Sequence, residues 1–294
     1  MDMTVRPLPA ALGAEIVGVD LAAARSPALV ARIKEAWAQH LVLVFRGQTL
    51  SDDQLVAFSR TFGDLDRAPP NEAANPYGAH VPTHPEVTVI SNVVVDGVAI
   101  GALGAGEAEW HTDMSYAEQP PSASLLFALE VPPSGGDTSF CNMYDAYETL
   151  PQDVKDRIEN RLAIHDATYT SAGGLRKGVR PVDDVTQATG ARHPIVRTHP
   201  VTAREALFLG RRRNGYIIGL PVSESERLLD TLWSHATQSR FAFTHQWNVG
   251  DLVIWDNRCV MHRRESFDVN ARRIMHRTQV KGDTPYHAVG RLAS

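Results

Sequence analysis

The stretch Trp110-His111-Thr112-Asp113 decides how this chain reads, together with a distant partner, His262, at the end of Trp255-Asp256-Asn257-Arg258-Cys259-Val260-Met261-His262. On an extended strand successive side chains alternate between faces, so His111 and Asp113 point the same way and can share one metal while Thr112 points away. Two imidazoles and one carboxylate on one side of a metal leave its opposite positions open, the facial ligand set of non-heme iron(II). Twelve histidines also produce a His-x-Asp pair by coincidence, so the pair gains weight only from its surroundings.

Those surroundings include Arg272-Arg273-Ile274-Met275-His276-Arg277. As a strand, this run places Arg273, Met275 and Arg277 on one face and Arg272, Ile274 and His276 on the other. Two arginines on one face repel each other unless anions lie between them. A solvated basic edge strand is the alternative, but the apolar Ile274 and Met275 argue against full exposure.

With these residues in view, the chain resembles the Fe(II)/2-oxoglutarate-dependent dioxygenases of the TauD/TfdA family. The likeness runs over nearly the whole length, through Leu12-Gly13-Ala14-Glu15-Ile16-Val17-Gly18-Val19-Asp20-Leu21, Leu43-Val44-Phe45-Arg46-Gly47-Gln48, Phe62-Gly63-Asp64-Leu65, Ser134-Gly135-Gly136-Asp137-Thr138 and Val196-Arg197-Thr198-His199-Pro200. Each is weak alone; their order and spacing are specific. The resemblance implies that His111, Asp113 and His262 bind Fe(II). It also implies that Thr138 and Arg273 hold the distal carboxylate of 2-oxoglutarate, and that Arg277 binds the acidic group of the primary substrate. A guanidinium fork offers a carboxylate two parallel charge-assisted hydrogen bonds. Without the arginines, Thr138 reads as an ordinary β-branched residue after a Gly-Gly turn.

The implied fold is mainly β with α: a double-stranded β-helix, or jelly roll, with helices flanking its core. The implied chemistry consumes O2 and converts 2-oxoglutarate to succinate and CO2 while hydroxylating substrate. Departures from the family pattern narrow the substrate. Taurine dioxygenases carry a histidine, a tyrosine and an asparagine where this chain has Ala68, Asn71 and Glu107. Phe140-Cys141-Asn142-Met143, His235-Ala236-Thr237-Gln238 and Trp247-Asn248-Val249-Gly250-Asp251-Leu252-Val253 instead look like the branch that cleaves phenoxyacetates. The expectation is an aryloxyalkanoate hydroxylated beside its ether oxygen, giving a hemiacetal that collapses to a phenol and an oxo acid. A sulfonate or sulfate ester, a Zn(II) hydrolase and a noncatalytic jelly-roll binding protein stay open as alternatives.

At 294 residues and 43% hydrophobic content the chain can bury a sizeable core, and one domain spanning residues 1–294 is expected. A net charge of −5 gives no basic footprint for nucleic acid. No apolar run reaches membrane-spanning length, and a secretory leader is not evident. Cys141 and Cys259, the only cysteines, suit a reducing compartment, so a cytoplasmic enzyme is expected. The resemblance further implies a homo-oligomer acting on a small acidic organic molecule.

Ser26-Pro27 predicts the start of a helix burying Leu29, Val30, Ile33 and Trp37, followed by a buried strand from Leu41 to Phe45. Ser51 with Gln54, and Ser223 with Glu226, predict capping boxes for two more helices, the second carrying Leu228, Leu229, Leu232 and Trp233. Residues 66–109, with Pro69-Pro70, Asn75-Pro76 and a glycine-rich run from Gly97 to Gly106, read as a long loop. So do residues 166–192, with Gly173-Gly174, Arg176, Lys177, Arg180 and Asp183-Asp184. Long loops within a compact domain are usually functional, and active-site lids are the expected use here, with plain surface disorder as the alternative.

Overall fold

Ser26 accepts a hydrogen bond from the Leu29 N–H at 3.2 Å, and with Pro27 at the first position the chain turns into the helix Pro27–His40. Ile33, Ala36 and Trp37 are its buried face. The computed structural model describes residues 3–23, 26–68, 82–176 and 178–288. Ser51 and Gln54 form the expected reciprocal capping box on the helix Asp52–Ser59. The second expected box does not form. Pro221 is the N-cap of Val222–Ala236, so Ser223 already lies inside the helix, and the Glu226 carboxylate turns instead to Arg212 Nη2 at 2.6 Å.

Two sheets form a jelly roll, flanked by helices. The larger has eight strands in the order Thr4–Pro7, Ala14–Val17, Val42–Phe45, Leu252–Asp256, Ala123–Glu130, Ile274–Val280, Thr88–Ser91, Ala102–Leu103. The smaller has four, Ala242–His245, Thr138–Asn142, Val260–Arg264 and Ala108–His111, all antiparallel. Strand alternation sorts the larger sheet's side chains cleanly. Leu43, Phe45, Leu125, Phe127 and Ile254 pack outward on Ile33, Trp37, Leu55 and Phe58 of the two N-terminal helices. Val44, Leu126, Val253, Trp255 and Met275 face inward and meet Phe140 of the smaller sheet, whose ring lies 5.5 Å from that of Trp255. The ends of these inner faces, where polar residues replace apolar ones, hold the site.

The described part of 66–109 is less irregular than its glycines suggest. Thr88–Ser91 pairs with Ile274–Val280, and the short strands Val94–Val95, Val98–Ala99, Ala102–Leu103 and Ala108–His111 follow. β-Branched residues in Thr88-Val89-Ile90 outweigh the neighbouring turn formers. Pro69-Pro70, Asn71 and Asn75-Pro76, like Lys177, lie outside the described residues. Among the described residues no helix is long and apolar enough to cross a membrane, and Cys141 and Cys259 are both buried free thiols.

Candidate active site

His111 and His262 face each other across the smaller sheet as directly paired residues of adjacent antiparallel strands. Their rings lie 4.2 Å apart. The strand carrying His111 ends there, so Asp113 sits in the following turn, and same-face placement comes from that turn rather than from simple alternation. Met114, at φ 46°, makes the turn tight. Thr112 does point away: its hydroxyl donates to the Leu209 carbonyl at 2.9 Å. Asp113 Oδ1 lies 3.7 Å from His111 Nε2 and 4.0 Å from His262 Nε2, and all three residues are buried.

The protonation states suit a cation. His111 Nδ1 lies 2.7 Å from the Glu109 carbonyl; it donates there, which leaves the Nε2 lone pair free. Burial, and then the neighbouring His111, hold His262 down to about 3, so its imidazole is neutral. Burial works to raise the Asp113 carboxyl, but the Arg277 guanidinium beside it holds it well below the usual carboxylate range. Ser124 donates to Asp113 Oδ2 at 2.7 Å, and Ser124 in turn accepts from Asn257 Nδ2 at 2.9 Å and Gln279 Nε2 at 3.2 Å. Two imidazoles and one fixed carboxylate make a ligand set a divalent metal fits.

The arginines arrive from the opposite sheet. Arg277 and Met275 turn inward from Ile274–Val280, while His276 turns outward to Asp52 at 2.6 Å. Arg277 Nη1 reaches Asp113 Oδ1 at 3.3 Å. Arg273, just before this strand, is 1% exposed, which excludes the solvated edge strand. Its Nε finds no hydrogen-bond partner among the described residues, and burial, then Arg264, push the guanidinium down to about 9. Such a buried cation calls for an anion. Thr138 stands on the same wall and accepts from Trp247 Nε1 at 3.0 Å, which leaves its own O–H proton to donate. Trp247 is braced by His245, whose ring lies 4.6 Å away and whose Nε2 is 3.1 Å from Asp251 Oδ2.

These groups surround one cavity of about 230 Å³, whose apolar wall includes Ile90, Ala102, Leu126 and Trp255. The structure therefore brings together every expected site residue: His111, Asp113, His262, Thr138, Arg273 and Arg277. It adds Arg211, Arg264 and Tyr116, which sequence reasoning passed over, and Arg176, which it named only as a basic residue of the second long loop. Of the sequence departures, Glu107 pairs with Arg263 at 3.8 Å on the surface. Residues 166–192 contribute Thr170, Ser171 and Arg176 to the cavity wall.

A second buried cluster, His199, Asp256 and Cys259, also groups metal-ligating types. Its lone pairs are already engaged. Arg258 grips both Asp256 oxygens at 2.7 and 2.6 Å, and His199 Nε2 approaches Asp256 at 3.1 Å while its Nδ1 accepts from the Val201 and Thr202 N–H groups. Burial pushes the Cys259 thiol up, away from the thiolate. This cluster pins the turn between Leu252–Asp256 and Val260–Arg264, the strand that carries His262.

Residues 4–279 match the family model "Taurine catabolism dioxygenase TauD, TfdA family". The alpha-ketoglutarate-dependent 2,4-dichlorophenoxyacetate dioxygenase of Cupriavidus pinatubonensis is 37% identical over 302 residues, covering 96% of this chain and 99% of the relative. An alpha-ketoglutarate-dependent sulfate ester dioxygenase of Pseudomonas putida is 31% identical, covering 100% and 94%. Among solved structures, AAD-2 in complex with Mn(II) and N-oxalylglycine superposes with a TM-score of 0.80 at 32% identity, over 98% of this chain and 100% of that one.

Proposed function

Because the chain belongs to the TauD/TfdA family of alpha-ketoglutarate-dependent dioxygenases, we propose that it hydroxylates an aryloxyalkanoate beside the ether oxygen, releasing a phenol. The observation that carries this reading is that Arg277, which touches only the edge of Asp113 through Nη1 and has no partner for Nε among the described residues, stands beside an apolar wall in the cavity that holds the His-Asp-His cluster. An acid group and an aromatic ring need those two surfaces side by side.

In this reading His111, Asp113 and His262 hold Fe(II), and the bound metal, with 2-oxoglutarate and O2, supplies the oxidising power. The chain's own residues do the placing. Thr138 and Arg273 take the distal carboxylate of 2-oxoglutarate, the hydroxyl by donation and the guanidinium by charge. Arg277 anchors the substrate's acid group, fixing which C–H faces the metal; misplacement by about 1 Å costs on the order of a hundredfold in rate. Ile90, Leu126 and Trp255 exclude water around the ring. Residues 166–192 serve as the lid, a role supported by the cavity contacts of Thr170, Ser171 and Arg176 and by the Glu109 N–H bond to the Ser171 carbonyl at 3.1 Å. The reading places the enzyme in the cytoplasm, where the two thiols stay reduced.

The test is succinate and phenol release by iron-loaded protein with O2 and 2-oxoglutarate. Phenoxyacetate, both enantiomers of phenoxypropionate, taurine and an alkyl sulfate are compared with no substrate. Phenol release coupled to succinate supports the reading. Stimulation by the alkyl sulfate or taurine alone replaces it with the sulfur-ester or sulfonate chemistry.

A further inference from the structure

Among the described residues, the cavity lining holds five guanidiniums, Arg176, Arg211, Arg264, Arg273 and Arg277, against one carboxylate, Asp113. Arg264 and Arg273 share the Thr138 end, and Arg277 stands beside Asp113. Arg176 and Arg211 form a third locus on different elements, a loop within 166–192 and the segment after Leu209.

These two guanidiniums flank one ring. The Arg176 guanidinium lies 4.2 Å from the Tyr116 ring centroid and that of Arg211 lies 5.8 Å away. Tyr116 offsets part of their repulsion. Hydrogen-bonding demand is left over: Arg176 Nε and Arg211 Nε and Nη1 are buried without a partner among the described residues. Burial, and next the charge of Arg176, push Arg211 downward. The neighbours of Arg211 in sequence show that this is not a general feature of the segment. Arg212 is satisfied by Glu226 and Asp230, and Arg213 lies over the Tyr169 ring and donates to the Gly173 carbonyl. Only Arg211 of the three lines the cavity.

Two partly desolvated cations around one ring, with buried donors that meet no acceptor among the described residues, describe half of an anion site. We infer that the primary substrate carries two acidic groups, one for Arg277 and a second gripped between Arg176 and Arg211. This rests on the proposed function and sharpens it: the substrate is an aryloxyalkanoate whose ring bears a second acid. Arg176 comes from the proposed lid, so the second acid also ties that segment to the body of the site.

The experiment compares phenoxyacetate, 4-methylphenoxyacetate and 4-carboxyphenoxyacetate by calorimetry. Iron-loaded protein is used with 2-oxoglutarate under anaerobic conditions, and succinate release is measured separately in air. The carboxy compound should bind at least about tenfold more tightly than the methyl compound, the return of one or two charge-assisted hydrogen bonds. In Arg176→Gln and Arg211→Gln that ratio should fall toward one, while Arg176→Lys should retain part of it. Equal affinities in the native protein, or a ratio that survives both glutamine variants, overturns the inference. Absence of succinate with any phenoxy acid defeats the aryloxyalkanoate reading instead, and the calorimetric ratio still decides the second acid.

Discussion

Arg277 Nη1 stands 3.3 Å from Asp113 Oδ1, so the arginine assigned to substrate also touches the carboxylate assigned to the metal. A cation beside a carboxylate keeps it ionised, and Arg277 leads the groups that hold Asp113 low. A metal held by Asp113 would compete with Arg277 for that carboxylate and would leave the guanidinium to face an incoming acid.

Arg277→Ala should therefore raise the KM for the phenoxy acid by at least about tenfold, the loss of a charge-assisted pair, with far less change in the KM for 2-oxoglutarate. Steady-state succinate release with each reactant varied in turn measures both. Equal rises would contradict the separation of the two anion sites.

Ser124 links the metal carboxylate to the larger sheet. Its oxygen donates to Asp113 and accepts from Asn257 and Gln279, so Ser124→Ala strands two buried donors and frees the carboxylate to rotate. An unsatisfied buried donor costs about 1–3 kcal/mol, and loss of a partner that orients a metal ligand typically costs about 10–100-fold in metal affinity. Both a lowered Tm and weaker Fe(II) binding, by titration under anaerobic conditions, are expected. Unchanged metal affinity would show that Asp113 is oriented without Ser124.

How far the sequence reached can be read from these residues. Local periodicity and caps were legible: Ser26 and Ser51 do what their spacing says. Ser223 misleads because the same pattern follows Pro221, whose fixed backbone starts the helix two residues earlier. The triad was legible as residue types in order, yet strand alternation was the wrong reason for Asp113, which lies in a turn. The Ser124 network was not legible, since it joins common polar residues 133 and 155 positions apart. Nor was Arg211, whose direction depends on Gly210 packing so closely that an added Cβ would lie 2.4 Å from His165 Nδ1 and 2.7 Å from Ser115 Oγ. Hydrophobic pattern specifies faces of elements, whereas loop arginines are aimed by contacts made after the sheets close.

Trp247 separates packing from hydrogen bonding at the 2-oxoglutarate end. Its Nε1–H occupies a Thr138 lone pair, which turns the hydroxyl proton toward the cavity. Trp247→Phe keeps an aromatic ring near His245 but removes that donor, so Thr138 is free to rotate. The KM for 2-oxoglutarate should rise several-fold while that for the phenoxy acid stays nearly constant. A larger effect on the phenoxy acid would move Trp247 to the other anion site.

Arg273 sets function against stability. Its guanidinium is 1% exposed, its Nε has no partner among the described residues, and burial with Arg264 nearby disfavours the charge. In the ligand-free protein that cation is a cost, since replacing poorly compensated buried charge by apolar groups of similar size is often neutral or stabilising by about 1–4 kcal/mol. Arg273→Met should thus leave the ligand-free Tm equal to or above the native value. Native protein should gain Tm with 2-oxoglutarate, because a ligand that binds only the folded state stabilises it by mass action. The methionine variant should lose that gain, and with it turnover. Thermal melts with and without 2-oxoglutarate, both proteins loaded with the same metal, check both halves. A variant that melts well below native protein without ligand would mean that Arg273 is already compensated within the fold, and a retained ligand shift would mean that another residue holds the distal carboxylate.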